Sequence, residues 1–300
     1  VSFTIVEYLS TKANSPSGRR IYPPHSVDQL HDLHGRILAA PIAQHYKQSL
    51  LFYLLKDLAF PRHEVPDIAD SFARNVHLPR RFWTFIEGLW ALDHLQFETA
   101  VGNLTHPSII PTFPDEILAA LLHRKTYPAE LEGGDVLPLT YYNCVKPPLA
   151  DEHVKVDFVR YLADRNVTET YYWIHARPSA DHRPLLEVLI ESTLRSGTGG
   201  AGGDESYPRQ DKAMELVGLP LTEEEEGWLE SYLTEGNGRN FRNAMDTVLV
   251  RRLATGKLSE VTGETRFKAK TVEGVSWNML RDGVERGVGP RKEEESTFMA

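Results

Sequence analysis

Gly88-Leu89-Trp90-Ala91-Leu92-Asp93-His94, followed by Phe97-Glu98-Thr99-Ala100-Val101 and then by Leu104-Thr105-His106-Pro107-Ser108-Ile109-Ile110-Pro111-Thr112-Phe113-Pro114-Asp115-Glu116-Ile117-Leu118, is the run that decides the fold. It reads as a helical hairpin with closed corners. The stretch from Arg80 to His94 carries Phe82, Trp83, Phe85, Ile86, Leu89, Trp90 and Leu92, and apolar residues wrap most of its circumference. Such a helix is buried on more than one side. Trp90 and Leu92 are expected to pack inward, and Asp93-His94 to end the helix. A turn of a few residues then leads to a second helix at Gln96 to Leu104, so the two run antiparallel. Phe97 and Ala100 face back across the turn. Pro107 and Pro111 hold the chain extended before Pro114 opens a further helix, with Asp115 as its expected cap.

Helical periodicity extends outward on both sides. From His45 to Ala59, Tyr46, Leu50, Leu51, Tyr53, Leu54, Leu55 and Leu58 build a broad apolar face that Pro61 stops. A short helix is expected over Asp67 to His77. Gly133-Gly134 and Pro147-Pro148 mark residues 126–150 as an irregular connection, in which Val136 to Val145 is a candidate short strand. Helices resume at Ala150 to Leu162, Thr168 to His175 and Asp181 to Arg195. The Gly197 to Gly203 run continues into a flexible insert spanning 197–210. Thr222 opens a helix whose first turn, Glu223 to Glu226, complements the helix dipole and is read as a solvated face. The last clear helix, Phe241 to Leu253, has Met245, Val248, Leu249 and Leu253 as its core face. No β-alternation accompanies these helices and no 34- or 40-residue period recurs. The expectation is an all-α fold, an irregular α-helical solenoid of antiparallel helix pairs. It comprises a lead-in at 1–24, a helical domain at 25–255, and a polar, partly disordered tail at 256–300.

Composition narrows the function classes. The 300 residues carry a net charge of −9, with 33 Lys and Arg against 42 Asp and Glu. An acidic body argues against nucleic acid as the main ligand, because phosphate binding requires a positive field. The basic residues concentrate past Arg251, where Arg251-Arg252, Arg266, Lys268, Lys270, Arg281, Arg286 and Arg291-Lys292 interleave with Phe267 and Trp277. Such a tail binds nucleic acid weakly, or docks Phe267, Trp277, Met279 and Leu280 into a partner's groove. The single cysteine, Cys144, excludes an internal disulfide and is expected to be a small apolar filler. No run of about 18 apolar residues marks a membrane span.

Chemical motifs are sparse. Gly197-Thr198-Gly199-Gly200-Ala201-Gly202 matches the letters of a dinucleotide loop, but a helix precedes it where a strand is required. His31 and His34 stand at i and i+3 without the third or fourth ligand a zinc site needs. There is no nucleophile elbow, phosphate-binding loop or paired Cys motif. No catalytic, cofactor or metal residue is therefore nominated, and the chain reads as a monomeric docking protein and not an enzyme.

The 80–122 block resembles the helical domain of the ELYS family of nuclear pore assembly nucleoporins, whose members share a GLW-LD string followed by A-x-x-x-L-T-H-P-S-I-I-P-T-F-x-D-E-I-L. The residues that carry the match are Gly88, Leu89, Trp90, Leu92, Asp93, Ala100, Leu104, Thr105, His106, Pro107, Ile109, Pro111, Phe113, Asp115, Glu116 and Leu118. The likeness extends more diffusely over about 25–255. It implies a non-enzymatic scaffold nucleoporin at the nuclear pore of the nuclear envelope, attached to the outer-ring Y-shaped complex. The implied partners are that complex's long-arm subunits, one built from a propeller plus helices and one a small WD-repeat protein. Long animal members also carry an N-terminal β-propeller and chromatin-binding AT-hooks. Gly289-Pro290-Arg291 does not match such a hook, and the resemblance is to the short form built on the helical domain alone.

Overall fold

The computed structural model describes residues 22, 24–59, 68–123, 136–195, 209–241, 243–256 and 282. Among them the fold is all-α, with thirteen α-helices, one 3-10 turn and no strand. The chain divides into two compact units, residues 1–154 and 155–300.

The first unit contains α1 (Val27–Ala39), α2 (Gln44–Ala59), α3 (Ile68–Asn75), α4 (Arg80–Asp93), α5 (Phe97–Leu104), α6 (Pro114–Leu122) and α7 (Leu137–Val145), and it reaches the start of α8 (Glu152–Arg165). Packing here is mostly between near neighbours in the chain. Helix α2 packs on α1, α3 and α4; α4 packs on α5; and α7 packs on α5 and α6. Ser26 starts α1 by accepting the N–H of Gln29 on its side chain, which satisfies one of the free donors at a helix start. Helices α3 and α4 stop by the same device. His77 and Leu95 adopt left-handed backbone with φ of 53° and 61°, and the next residue's N–H reaches back to Ala73 and Ala91. This is a Schellman closure in which glycine normally occupies the left-handed position.

Four features of the first unit differ from the sequence reading. Val136–Val145 is not a strand: Leu137–Val145 is helix α7, with Pro138 in the first turn, where its missing N–H costs nothing. Cys144 is exposed on α7 and fills no core. In α2, Tyr46 and Leu58 are exposed, whereas Phe52, which the pattern passes over, is fully buried. Lastly, α6 is capped by no side chain. Phe113, at its N-cap, has a φ of 56°, and Asp115 is spent on another part of the chain.

The second unit holds the remainder of α8 together with α9 (Val167–His175), α10 (Ser179–Arg195), α11 (Arg209–Val217), α12 (Glu223–Thr234), the 3-10 turn Asn237–Asn240 and α13 (Ala244–Ala254). Its core draws Val159, Val167, Ile174, Leu189, Ile190, Leu216, Leu233 and Val248 together from six helices. Helix α11 falls where the flexible insert was expected to reach 210. Its start is polar, and Leu216 and Val217 are buried, with Ala213 packed against the core. Glu225 and Glu226 do not form a solvated face. Glu225 is buried and completes a capping box with Thr222, and Glu226 holds Arg251. Arg251, read as part of the basic tail, is buried and donates to the carbonyls of Val217 and Leu219 as well. Arg252 pairs with Glu230. On α13 Met245 is exposed, and Ala244, Val248 and Leu249 make the core face.

Candidate functional site

The 88–118 string folds within the first unit, and most of it is spent on packing. Gly88 lies against α5, where a side-chain carbon on it would meet Leu104 Cγ at 2.6 Å. Leu89, Leu92, Ala100, Leu104 and Leu118 are buried. The polar members tie α4 to α2. Asp93 accepts a hydrogen bond from the Tyr53 hydroxyl at 2.6 Å, and the Trp90 indole N–H donates to Asp57 at 2.9 Å. His94 stacks on Trp90 at 4.0 Å. Burial pushes Asp57 above its ordinary carboxylate value despite the pull of His94 and Trp90 in the opposite direction. Burial also pushes the Tyr53 phenol up, with Asp93 adding to it, so Tyr53 acts as a neutral donor.

Downstream, the Thr105 hydroxyl donates to Val101 O and closes α5. His106 and Ser108 form a tight turn through a 2.8 Å side-chain contact. Asp115 is buried, and its two carboxylate oxygens accept the N–H groups of Leu149 and Ala150 at 3.0 and 2.7 Å. One motif carboxylate therefore secures a segment more than thirty residues away. Its neighbour Glu116 is exposed.

Residues 106–112 are the longest run of the string that packing leaves exposed, with Ile109 alone half-buried. Pro107, Ser108, Pro111 and Thr112 are exposed, and Ile110 is 68% exposed. Together with Phe113 this arc forms one wall of an open groove of about 490 Å³. Helix α2 supplies a second wall with Tyr46, Leu50 and Tyr53, and α4 the floor with Phe85, Ile86 and Leu89. Ser49, the small polar residue in the α2 wall, donates to His45 O within its own helix. The surface presented is therefore largely apolar. At the mouth stand His45, packed on Phe82 with ring centroids 4.8 Å apart, and Arg81, whose guanidinium covers the Phe82 ring at 4.9 Å. Left-handed backbone at a bulky residue such as Phe113 costs about 1–3 kcal/mol and persists where the surrounding structure demands it. Here it turns the arc into α6 and sets Phe113 into the groove.

This geometry suits recognition of apolar side chains. Among the described residues the titratable groups on the walls are His45, Tyr46, Tyr53 and Arg81, and the Ser49 hydroxyl is spent on the His45 carbonyl. Among the described residues no three His, Cys, Asp or Glu side chains converge as a metal site, and His31 and His34 are exposed on α1. No helix of the described residues is long and apolar enough to cross a membrane. The Gly197–Gly202 run and the aromatic tail residues Phe267, Trp277, Met279 and Leu280 lie outside the described residues. The groove itself was not legible in the sequence. The Ile109-Ile110 pair between two prolines, of which Ile110 is exposed and Ile109 half-buried, was the one signal for it.

The chain is 25% identical over 236 residues to the uncharacterized protein ely5 of Schizosaccharomyces pombe, covering 77% of this chain and 67% of that one. It is 22% identical over 234 residues to Protein ELYS of Xenopus laevis, covering 76% of this chain but only 9% of that much longer protein. A family model described as nuclear pore complex assembly matches residues 4–236, and the chain belongs to that family, ELYS.

Proposed function

We propose that this chain is a structural nucleoporin. It attaches through its helical body to the outer-ring Y-shaped scaffold of the nuclear pore complex, at the nuclear envelope. It supports pore assembly and, through the pore, transport of protein and mRNA. Its partners in this reading are the long-arm subunits, the propeller-plus-helix protein and the small WD-repeat protein. It acts by holding them and not by turnover.

One observation carries the proposal. The longest exposed run of the family string is 106–112, interrupted only by half-buried Ile109, and its Ile109, Ile110 and Thr112 line an apolar groove. Solvent-facing Ile and Pro residues contribute little to the fold, and an exposed concave apolar surface marks a docking site. The polar tail past residue 256, with Phe267, Trp277, Met279 and Leu280, is a second attachment in the same reading. Nucleic-acid binding through the basic C-terminal stretch is the weaker alternative, because two of the cations in the 251–292 run, Arg251 and Arg252, lie in α13 and are engaged by Glu226 and Glu230.

Reconstitution with purified Y-complex subunits followed by size-exclusion chromatography tests the proposal. Co-migration with a long-arm subunit is expected. A chain that elutes alone beside every subunit refutes it.

A further inference from the structure

The proposed function leaves open what sits in the groove, and this inference rests on that reading. The geometry points to an acidic amphipathic segment of a partner protein, inserting large aliphatic or aromatic side chains between α2 and α4 and setting Asp or Glu against Arg81.

Size comes first. A cavity of about 150 Å³ accepts a benzene-sized group, so a groove of about 490 Å³ takes roughly three large side chains. That is the footprint of two turns of an amphipathic helix, or of one short extended segment, and not of a small metabolite fixed by polar contacts. Wall chemistry follows. Leu50, Ile86, Leu89 and Ile109 offer no polar atom, and the Ser49 and Thr112 hydroxyls donate to carbonyls of their own segments. A polar ligand would lose its hydration here without replacement, whereas an apolar one gains.

Charge then selects among apolar partners. Arg81 and His45 stand at the mouth, and among the described residues no carboxylate lines the groove. Asp93 accepts the hydrogen bond of the Tyr53 hydroxyl, a wall residue, and is not itself among the lining residues. Arg81 rests on the Phe82 ring, and among the described residues it pairs with no carboxylate. In a chain of net charge −9, a groove edged by the Arg81 guanidinium reverses the overall sign locally. Such complementarity steers an acidic partner and fixes its register. The concave shape also favours an inserted protein segment over a lipid surface, which a protruding apolar loop would engage instead.

The experiment selects ligands for the full chain from a phage-displayed library of random peptides, then measures the enriched peptides by fluorescence polarisation. Enriched sequences should carry several Leu, Ile, Phe or Trp residues beside Asp or Glu. Arg81→Glu and Ile110→Ser should each weaken them by about tenfold, the loss typical of an interface anchor. Met214→Ser, on an exposed residue of α11, should leave affinity unchanged. Both groove positions are exposed, so the two variants should fold, which circular dichroism checks. Enrichment of basic or purely polar peptides overturns the inference, as does binding indifferent to both variants or no enrichment at all. Loss through these variants of binding to anionic vesicles, or of self-association in sedimentation, likewise replaces it. The two readings separate cleanly. A chain that co-migrates with Y-complex subunits equally well with and without Arg81→Glu and Ile110→Ser keeps its scaffold role and loses this groove. A chain that binds acidic peptides through the groove yet co-migrates with no subunit does the reverse.

Discussion

Gly88 on α4 lies so close to Leu104 on α5 that a Cβ at position 88 would stand 2.6 Å from Leu104 Cγ and 3.2 Å from Asn103 Cβ. Gly88 therefore sets the separation of the two helices. In an exposed helix, Gly→Ala gains about 1 kcal/mol from propensity. Here overpacking, which typically costs about 1–3 kcal/mol, opposes that gain. Gly88→Ala should lower stability by about 1–2 kcal/mol net, and Gly88→Val by more, as read by urea unfolding. An alanine variant as stable as the wild type would show that α5 moves aside freely.

Asp115 carries the second prediction. It leaves the start of its own helix uncapped and holds the N–H groups of Leu149 and Ala150, the first of them buried. Asp115→Ala deprives a buried donor of its acceptor, and hydrogen bonds to a charged group are worth about 1.5–3 kcal/mol each before coupling. A loss of about 2–4 kcal/mol is expected, with Asp115→Asn intermediate. Amide exchange at Leu149 and Ala150 should speed up selectively. If protection fell instead across the first turn of α6, Asp115 would be an ordinary cap.

Fold class was readable because α4, α8 and α10 bury wide apolar faces whose period survives any choice of neighbour. Helix termini and the groove were not. Leu95 ends α4 in a left-handed conformation that sequence reasoning assigns to Gly or Asn, so nothing in its letter signals the turn. Phe52 is buried and Tyr46 exposed because α2 packs on three helices, and its buried arc follows their placement and not the densest run of leucines. Asp115 and Arg251 were misassigned for one reason. Their partners lie 25 to 35 residues away, and helix-local rules see only the nearest turn.

Arg251 closes the second unit. Its guanidinium binds Glu226 and the carbonyls at the end of α11, joining α11, α12 and α13. Removing one member of a buried ion pair costs about 3–5 kcal/mol, because the survivor is left desolvated and alone. Arg251→Ala should fall in that range. The double variant Arg251→Met with Glu226→Leu should recover much of the loss, since two well-packed apolar groups need no partner. A double-mutant cycle gives the coupling, and strict additivity would mean the two residues act separately.

Glu225 supplies the pH prediction. Burial alone would raise its carboxyl. Hydrogen bonds from the Thr222 backbone and hydroxyl and from the Tyr171 hydroxyl, with His175 at 2.8 Å, instead hold it below the ordinary 4.5. In the unfolded chain the group takes up its proton near 4.5, while in the folded chain it does so only at lower pH. Across that interval the unfolded state binds more protons, so acid favours unfolding. The stabilisation is complete above about pH 4.5 and disappears as pH falls through the folded value. Glu225→Gln removes the titration and turns an amide N–H₂ toward donors, which should cost about 1–3 kcal/mol at neutral pH. Its unfolding free energy should then fall less steeply than the wild type's between about pH 5 and 3. Parallel curves over that window would mean that Glu225 keeps its ordinary acidity in the folded chain, and that the capping box is held by geometry without a contribution from its charge.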